Sequence, residues 1–226
     1  LSALRRANAS GARTLAVTNV VGSTAARECD DALFIRAGPE IGVAATKTFS
    51  SQVVSLGLLA ERVVRGVTGS RTDDARERLE ALSDLPGHVQ QILDYTSAHR
   101  VAESYRDSEA YFFIGRGAVR PVALEGALKF KEISYEHAEG FAAGELKHGP
   151  LALVTPETPV FAVFTGRNDE KTLGNVKEAE ARGAPVVAVA SNEQESVHQY
   201  ADEVLTIPET HPDVAGVLAN VQLQLL

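Results

Sequence analysis

The sequence predicts an α/β protein in which parallel sheets are flanked by helices. Short aliphatic runs that are typical of buried strands, such as TLAVTN (14–19) and PVVAVA (185–190), alternate with helical segments along the chain. Strands that are separated by helical crossovers pair in parallel, because each crossover returns the chain to the same end of the sheet. Two runs of this alternation are present, and a charged helical stretch separates them.

The first run of elements occupies residues 1–66. Phe49, Val53, Leu56 and Ala60 recur at helical spacing on one face of its last helix. The predicted elements are a helix over 3–11, a strand over 14–19, a helix over 22–29, a strand over 32–35 and a helix over 43–64.

Residues 67–106 are predicted to form a helical connector, in two charged amphipathic segments that part at Pro86. The alternation restarts in residues 107–226. The elements predicted there are strands at 111–114, 159–164, 185–190 and 203–207, with helices at 119–138, 168–182, 193–200 and from 211 onward.

The two ends of the chain are also similar to each other. At an offset of 172 residues, ASGARTLAVTN (9–19) aligns with ARGAPVVAVAS (181–191), and ECDDALFI (28–35) aligns with YADEVLTI (200–207) without a gap. Any two strand–helix–strand units share some pattern, but the ungapped match of a glycine, a strand, an acidic pair and a second strand favours duplication. We therefore expect two subdomains of one type, the first truncated at its N-terminus.

Composition excludes several classes of protein. The formal charge of −8 argues against a duplex DNA binder, which usually presents a basic face. No apolar run approaches the roughly 20 residues of a membrane-spanning helix, and the N-terminus lacks the apolar stretch of a secretory signal. Cys29 is the single cysteine, and together with a large aliphatic core it points to the cytoplasm.

The chain contains no methionine, and it opens and closes on apolar helical patterns without caps. We expect it to be an internal part of a longer protein.

One segment combines core-like and titratable residues. Residues 123–150 hold five Glu, three Lys and two His among 28 positions, and most of the others are small or apolar. On a helix, Glu125, Lys129, Glu132 and Glu136 would share one face, because their spacing follows i, i+4, i+7 and i+11. This pattern fits either a solvated polar stripe or a row of charged groups in a cleft.

The neighbouring residues favour the cleft. The other faces of the predicted helix are small or apolar on nearly every turn, and the helix leads into a glycine-bracketed segment with Glu145, Lys147 and His148. A carboxylate and an ammonium three residues apart suit proton transfer, since the carboxylate moves a proton while the ammonium stabilises developing negative charge. A histidine before Gly-Pro stands on a constrained backbone, as a positioned acid or base requires.

These residues carry a resemblance to a known family. LEGALKFKEISYEHAEGFAAGELKHGPLAL (124–153) closely resembles the isomerase half of glutamine–fructose-6-phosphate amidotransferases, and AGPEIGVAATKTFSSQ (37–52) resembles a second motif of that family. The similarity extends over the full chain. It implies tandem sugar isomerase (SIS) subdomains, each a parallel sheet between helices, with the C-terminal part of the first in 1–66 and the second in 107–226.

The resemblance also implies a reaction. Ammonia would add to fructose 6-phosphate, and an aldose–ketose isomerisation would give glucosamine 6-phosphate, with no cofactor and no metal. Glu132 would be the base that moves the proton between C1 and C2, Lys129 would assist it, and His148 would open the sugar ring. In the family this histidine reaches the neighbouring subunit's site, so a homodimer is implied. The resemblance also implies an N-terminal glutaminase domain in the parent chain.

The second motif implies three substrate-binding residues. Val43 and Ala45 match positions that contact the sugar, but family members have serine at the second, and Ala45 has no hydroxyl. Either the hydrogen bond is lost, or Thr46 or a water replaces it. Thr46 and Lys47 would also suit a purely structural helix start.

Two parts of the family's site are expected outside this chain: a phosphate loop before Leu1 and an imine-forming lysine beyond Leu226. The equivalent turn of the second subdomain, 164–172, resembles a degenerate copy, because Asp169 and Glu170 would repel an anion. Residues 1–226 alone are therefore expected to be inactive.

Two other functions remain open from the residues. A stand-alone SIS sugar-phosphate isomerase or deaminase would share Glu132 and the fold but would lack a glutaminase. A sugar-phosphate sensor that binds without turnover would not need Glu132 or His148, so their presence argues against it.

Overall fold

The computed structural model describes residues 1–226 and confirms the α/β class. The chain divides into two compact units, residues 1–75 and 76–226. Every strand pairing in both units is parallel. No helix has the length and apolar character needed to span a membrane. The subdomain boundaries predicted at 66/67 and 106/107 stay predictions.

The first unit is a two-stranded sheet with helices. Its strands pair in register from Leu15 opposite Asp31 to Thr18 opposite Phe34. Its elements are α1 (Ser2–Ala9), β1 (Leu15–Thr18), α2 (Thr24–Glu28), β2 (Asp31–Phe34) and α3 (Lys47–Thr68). The predicted start of α3 at Val43 is wrong, because hydrogen bonds from Thr46 to the Glu40 carboxylate hold the preceding residues outside the helix.

The connector contains α4 (Asp73–Tyr95) and α5 (Ala98–Tyr105). The predicted break at Pro86 is wrong, since α4 continues through this proline. A proline inside a helix removes one backbone hydrogen bond and costs about 3 kcal/mol. Leu85 and Ile92, seven residues apart on one helix face, are both buried and offset that cost.

The second unit is built on a five-stranded parallel sheet with strand order β4-β3-β5-β6-β7. The three central strands are almost completely buried, and their aliphatic and aromatic side chains form the core, whereas the two edge strands are mostly half-buried. The elements are β3 (Tyr111–Gly115), α6 (Arg120–Ser134), β4 (Ala138–Ala142), β5 (Val160–Val163), α7 (Asp169–Glu180), β6 (Val186–Ser191), α8 (Glu195–His198), β7 (Glu203–Ile207) and α9 (Pro212–Leu225).

Strand β4 was not predicted, and α6 is shorter than expected. The helix ends at Ser134, and Tyr135 follows it in a left-handed conformation with φ of 64°. Residues 138–142 then pair with β3 at the edge of the sheet. The glycine-bracketed segment therefore begins as a strand and continues as two short 3-10 helices, Ala143–His148 and Pro150–Leu153.

The similarity between the two ends of the chain has a structural counterpart. Strand β6 pairs with β7 from Val187 opposite Glu203, which is the register of β1 and β2 shifted by 172 residues. In both pairs an aspartate accepts a hydrogen bond from a backbone N–H at the start of the first strand: Thr14, directly before β1, donates to Asp30 at 2.7 Å, and Val186, the first residue of β6, donates to Asp202 at 2.8 Å.

Candidate active site

A buried lysine on α6 lies between two carboxylates. Lys129 Nζ is 2.5 Å from Oε2 of Glu132 and 3.5 Å from Oε1 of Glu125. The lysine side chain is 6 % exposed, the Glu125 side chain 11 % and the Glu132 side chain 32 %. Because a buried ammonium is stable only when it is paired, both carboxylates contribute to holding the charge of Lys129. The structure thus brings together Lys129 and Glu132, as predicted from their spacing.

Glu125 also belongs to this cluster. Its spacing on the helix did not show whether it would lie in the cleft or in a solvated polar stripe. Burial raises the pKa of its carboxyl above the usual 4.5, and the charge of Lys129 acts in the opposite direction. Its Oε1 has no hydrogen-bond partner and meets only the 3.5 Å ion-pair contact. Burial is the property that distinguishes Glu125, and spacing alone does not reveal it.

Packing of α6 explains why these groups are held in place. Phe130, next to Lys129, lies with its ring centroid 4.4 Å from that of Tyr111 and 5.7 Å from that of Phe113 on β3. Ala123 and Ala127 are buried on the same helix. Small residues and one aromatic anchor let α6 lie close to the sheet, so the lysine side chain is enclosed.

Glu136 does not belong to the cluster. It was expected on the same helix face, but it lies after the end of α6 and is exposed.

Lys129 also lines a cavity of about 330 Å³ with a mainly apolar wall. That wall includes Tyr105, Tyr111, Phe130, Ile133, Phe161 and Leu223.

His148 stands apart from the lysine. It ends the 3-10 helix Ala143–His148, its side chain is exposed, and no hydrogen bond or ion pair joins it to Lys129 or Glu132. The segment itself is anchored, because Ala143 and Leu146 are both 0 % exposed. Gly149 follows with φ of 146°, a value that only glycine adopts readily, so a glycine is required directly after the histidine.

The three predicted substrate-binding residues lie in the first unit. Val43 is almost fully exposed, and Ala45 is half-buried. Thr46 is the residue before α3; its N–H and its hydroxyl donate to Glu40 Oε1 at 2.8 and 2.9 Å. The hydroxyl of Thr48 donates to the other carboxylate oxygen of Glu40. Thr46 therefore has a structural role in starting the helix, and sugar contacts by these three residues stay predictions.

The hydrogen bonds to Glu40 change its acidity. Burial opposes ionisation, but the bonds from Thr48 and Thr46 outweigh it and lower the pKa of the carboxyl from 4.5 to about 2. The negative charge also lies at the N-terminus of α3, where it is favourable. Because the folded pKa is below the unfolded one, this stabilisation is complete above pH 4.5 and is lost as the pH falls toward 2.

We expect Glu40→Gln to lower the melting temperature of the full-length protein at pH 7 by about 2 to 4 °C, since losing a capping group costs about 1 kcal/mol. The difference from the wild type should shrink between pH 4.5 and 2. Differential scanning calorimetry at several pH values measures it, with the exposed Glu109→Gln as control. A difference that does not change with pH would contradict the assignment.

The turn after β5 is filled by the protein's own carboxylate. Asp169 accepts hydrogen bonds from the backbone N–H groups of Gly166 at 2.8 Å and Thr165 at 3.3 Å, and from the Gln194 amide. Burial raises the pKa of the Asp169 carboxyl, and the two backbone bonds act against this rise. The N–H groups of Gly166 and Thr165 are thus already used by the protein's own carboxylate, and that this turn is a degenerate phosphate site stays a prediction.

No group of three or more His, Cys, Asp and Glu side chains is arranged to hold a metal ion. Cys29 is a half-buried free thiol. That the reaction needs neither a metal nor a cofactor stays a prediction.

Comparison with known proteins accounts for this arrangement of sheets and charged helix. The sequence profile of the SIS domain matches residues 1–62 and 104–226. The chain belongs to the SIS domain family. SIS proteins are the group to which the resemblance of residues 124–153 pointed, so that prediction is confirmed.

The chain is also similar to individual curated proteins. The chain is 56 % identical to the glutamine–fructose-6-phosphate aminotransferase [isomerizing] of Halobacterium salinarum and 50 % identical to that of Methanosarcina acetivorans. Each alignment covers the whole SIS chain and 37 % of the relative. This chain therefore spans a little over a third of the length of the curated relatives that it matches.

A solved structure shows the same fold. The C-terminal domain of glucosamine-fructose-6-phosphate aminotransferase from Francisella tularensis superimposes with a TM-score of 0.90 at 37 % identity. The alignment covers 99 % of this SIS chain and 64 % of that domain.

Proposed function

We propose that the protein to which this chain belongs is an isomerizing glutamine–fructose-6-phosphate aminotransferase, and that residues 1–226 are part of its isomerase half. The observation that carries the proposal is the buried Lys129 paired with Glu132 on α6. The full-coverage similarity to aminotransferases of that name supports the choice of reaction.

The cluster suits the proton transfer in this reaction. Ammonia condenses with the C2 carbonyl of fructose 6-phosphate and releases water, which leaves an imine at C2. Glu132 takes the proton from C1, which gives an enaminol, and returns it to C2. The proton of the C1 hydroxyl moves to the nitrogen, so that C1 becomes the aldehyde and C2 carries the amine of glucosamine 6-phosphate. Glu132 is partly exposed and can reach a substrate, whereas the enclosed Lys129 offers a fixed positive charge beside it.

Glu125 is assigned a supporting role in this mechanism. Its carboxylate lies on the other side of the Lys129 ammonium and is more buried than that of Glu132. It compensates the lysine charge when Glu132 becomes protonated during the reaction, because the buried ammonium then loses one of its two anionic partners.

The remaining parts of the proposal concern partners. His148 opens the sugar ring, and its exposed position is consistent with service to a neighbouring subunit's site in a homodimer. Ammonia comes from an N-terminal glutaminase domain of the parent chain, in the cytoplasm. The shared strand register and the equivalent hydrogen bonds to Asp30 and Asp202 support the proposal that the two SIS subdomains arose by duplication.

The test is a product assay with the full-length protein. With fructose 6-phosphate and glutamine, we expect glucosamine 6-phosphate and glutamate in equal amounts, and solvent deuterium at C2 of the product wherever the transferred proton has exchanged. Glucosamine 6-phosphate deamination or isomerisation without glutamine hydrolysis would favour the stand-alone SIS enzyme. Sugar-phosphate binding without any turnover would favour the sensor and contradict the proposal.

A further inference from the structure

Arg116 joins three elements of the second unit. It follows β3 directly, at the carboxyl end of the strand, and is half-buried. Its Nη1 donates to Oδ1 of Asn175 on α7 at 3.4 Å, and Asn175 is itself only 7 % exposed. The guanidinium therefore lies between the sheet and α7 rather than in open solvent.

The third element is the segment that carries His148. A Cβ atom placed on Gly144 would lie 2.9 Å from Nη1 of Arg116, closer than real Cβ atoms approach another atom, so a side chain at position 144 would displace the end of the arginine. The backbone of Gly144 is not in the left-handed region, so a substitution here acts through space and not through backbone conformation. The guanidinium of Arg116 thus lies directly against the backbone of Gly144.

This contact bears on the direction of the imidazole. Gly144 is the second residue of the 3-10 helix Ala143–His148, and this helix packs against α7 and the next 3-10 helix. His148 stands four residues after Gly144; its side chain is exposed, and no hydrogen bond or ion pair orients it. The backbone of the segment therefore sets its position, and the guanidinium of Arg116 lies beside that backbone at Gly144.

We propose that Arg116 is a positioning residue for His148: it holds the 143–148 segment so that the imidazole is directed for opening the sugar ring. This inference rests on the proposed function, because it assumes that His148 performs ring opening. Arginine suits the role because its planar guanidinium stays charged and can contact backbone and side-chain groups together. A misplacement of about 1 Å at a reacting group can cost about 100-fold in rate.

The test compares a substrate that must be opened with one that cannot close. Fructose 6-phosphate closes through its C5 hydroxyl, whereas 5-deoxyfructose 6-phosphate lacks that hydroxyl and stays open. With the full-length protein, we expect Arg116→Ala to lower kcat about 10- to 100-fold for fructose 6-phosphate. The loss with the 5-deoxy compound should be under about 3-fold, and KM should change little for either, since Arg116 does not bind the sugar.

Three further variants make the result interpretable. His148→Ala should show the same substrate-selective loss, and Arg120→Ala, an exposed arginine four residues away, should leave both rates unchanged. Gly144→Ala keeps the arginine but displaces its guanidinium, so it should reproduce the selective loss even if Arg116→Ala folds poorly.

Equal losses on both substrates in Arg116→Ala and Gly144→Ala, with a selective loss in His148→Ala, would overturn the inference and leave the proposed function intact. An equal loss on both substrates in His148→Ala would instead remove the ring-opening role of His148.

Discussion

Glu132→Gln in the full-length protein is expected to abolish nearly all formation of glucosamine 6-phosphate. The amide has the size of the carboxylate but cannot accept a proton from C1, and removing a positioned general base typically costs about 10²- to 10⁴-fold in kcat. Glutamine hydrolysis should continue, because the proposed function assigns it to a separate glutaminase domain. The hydrogen bond from Lys129 to position 132 can persist through the amide oxygen, so the fold should be preserved.

Two assays measure this result in parallel: glucosamine 6-phosphate release and glutamate release. Glu136→Gln is the matched control, since Glu136 was predicted on the same helix face but lies beyond the end of α6. It should retain most of the wild-type rate. Unchanged glucosamine 6-phosphate production by Glu132→Gln would exclude this carboxylate as the base.

Lys129→Met should impair both stability and turnover. The substitution keeps an apolar stem of similar length but leaves the buried Glu125 carboxylate without its ion-pair partner. Breaking a buried pair in this way costs about 3 to 5 kcal/mol, which corresponds to a fall of roughly 6 to 20 °C in melting temperature. Loss of the fixed positive charge beside Glu132 should lower kcat by about 10² to 10³.

Lys131→Met on the same helix is the control, because Lys131 is exposed and its loss should change the melting temperature little. A second variant separates the two effects: Lys129→Met combined with Glu125→Gln removes the uncompensated charge and should recover part of the melting temperature without recovering kcat. If the single and double variants melt at the same temperature, Glu125 and Lys129 are not energetically coupled.

Along residues 120–150 the local sequence pattern predicts one part of the structure and misses two others. Periodicity correctly placed Lys129 and Glu132 on one helix, since side chains three residues apart lie on the same side of a helical turn. It failed at the end of that helix, because Tyr135 adopts a left-handed conformation that usually belongs to glycine. It failed again at β4, whose sequence AEGFA contains no β-branched residue and no alternation.

Strand β4 exists because β3 offers it an edge. Its backbone hydrogen bonds pair Ala138 to Ala142 with Tyr111 to Gly115, and local propensity contributes little. Pairing between residues far apart in the chain is decided by the tertiary fold, and a local sequence pattern does not reveal it. The same holds for α4, where burial of Leu85 and Ile92 carries the helix through Pro86.

The sequence by itself determined the parallel α/β class, the order of nearly all strands and helices, the family, and the placement of Lys129 and Glu132 on one helix. These follow from spacing and residue chemistry, which are local properties. The roles of Lys129, Glu132 and His148 as reacting groups stay predictions. The tertiary structure alone decided which charged groups are buried, because burial depends on distant residues. It enclosed Glu125 with Lys129, paired Thr46 with Glu40, placed Asp169 on the backbone N–H groups of the turn after β5, and set Arg116 beside Gly144.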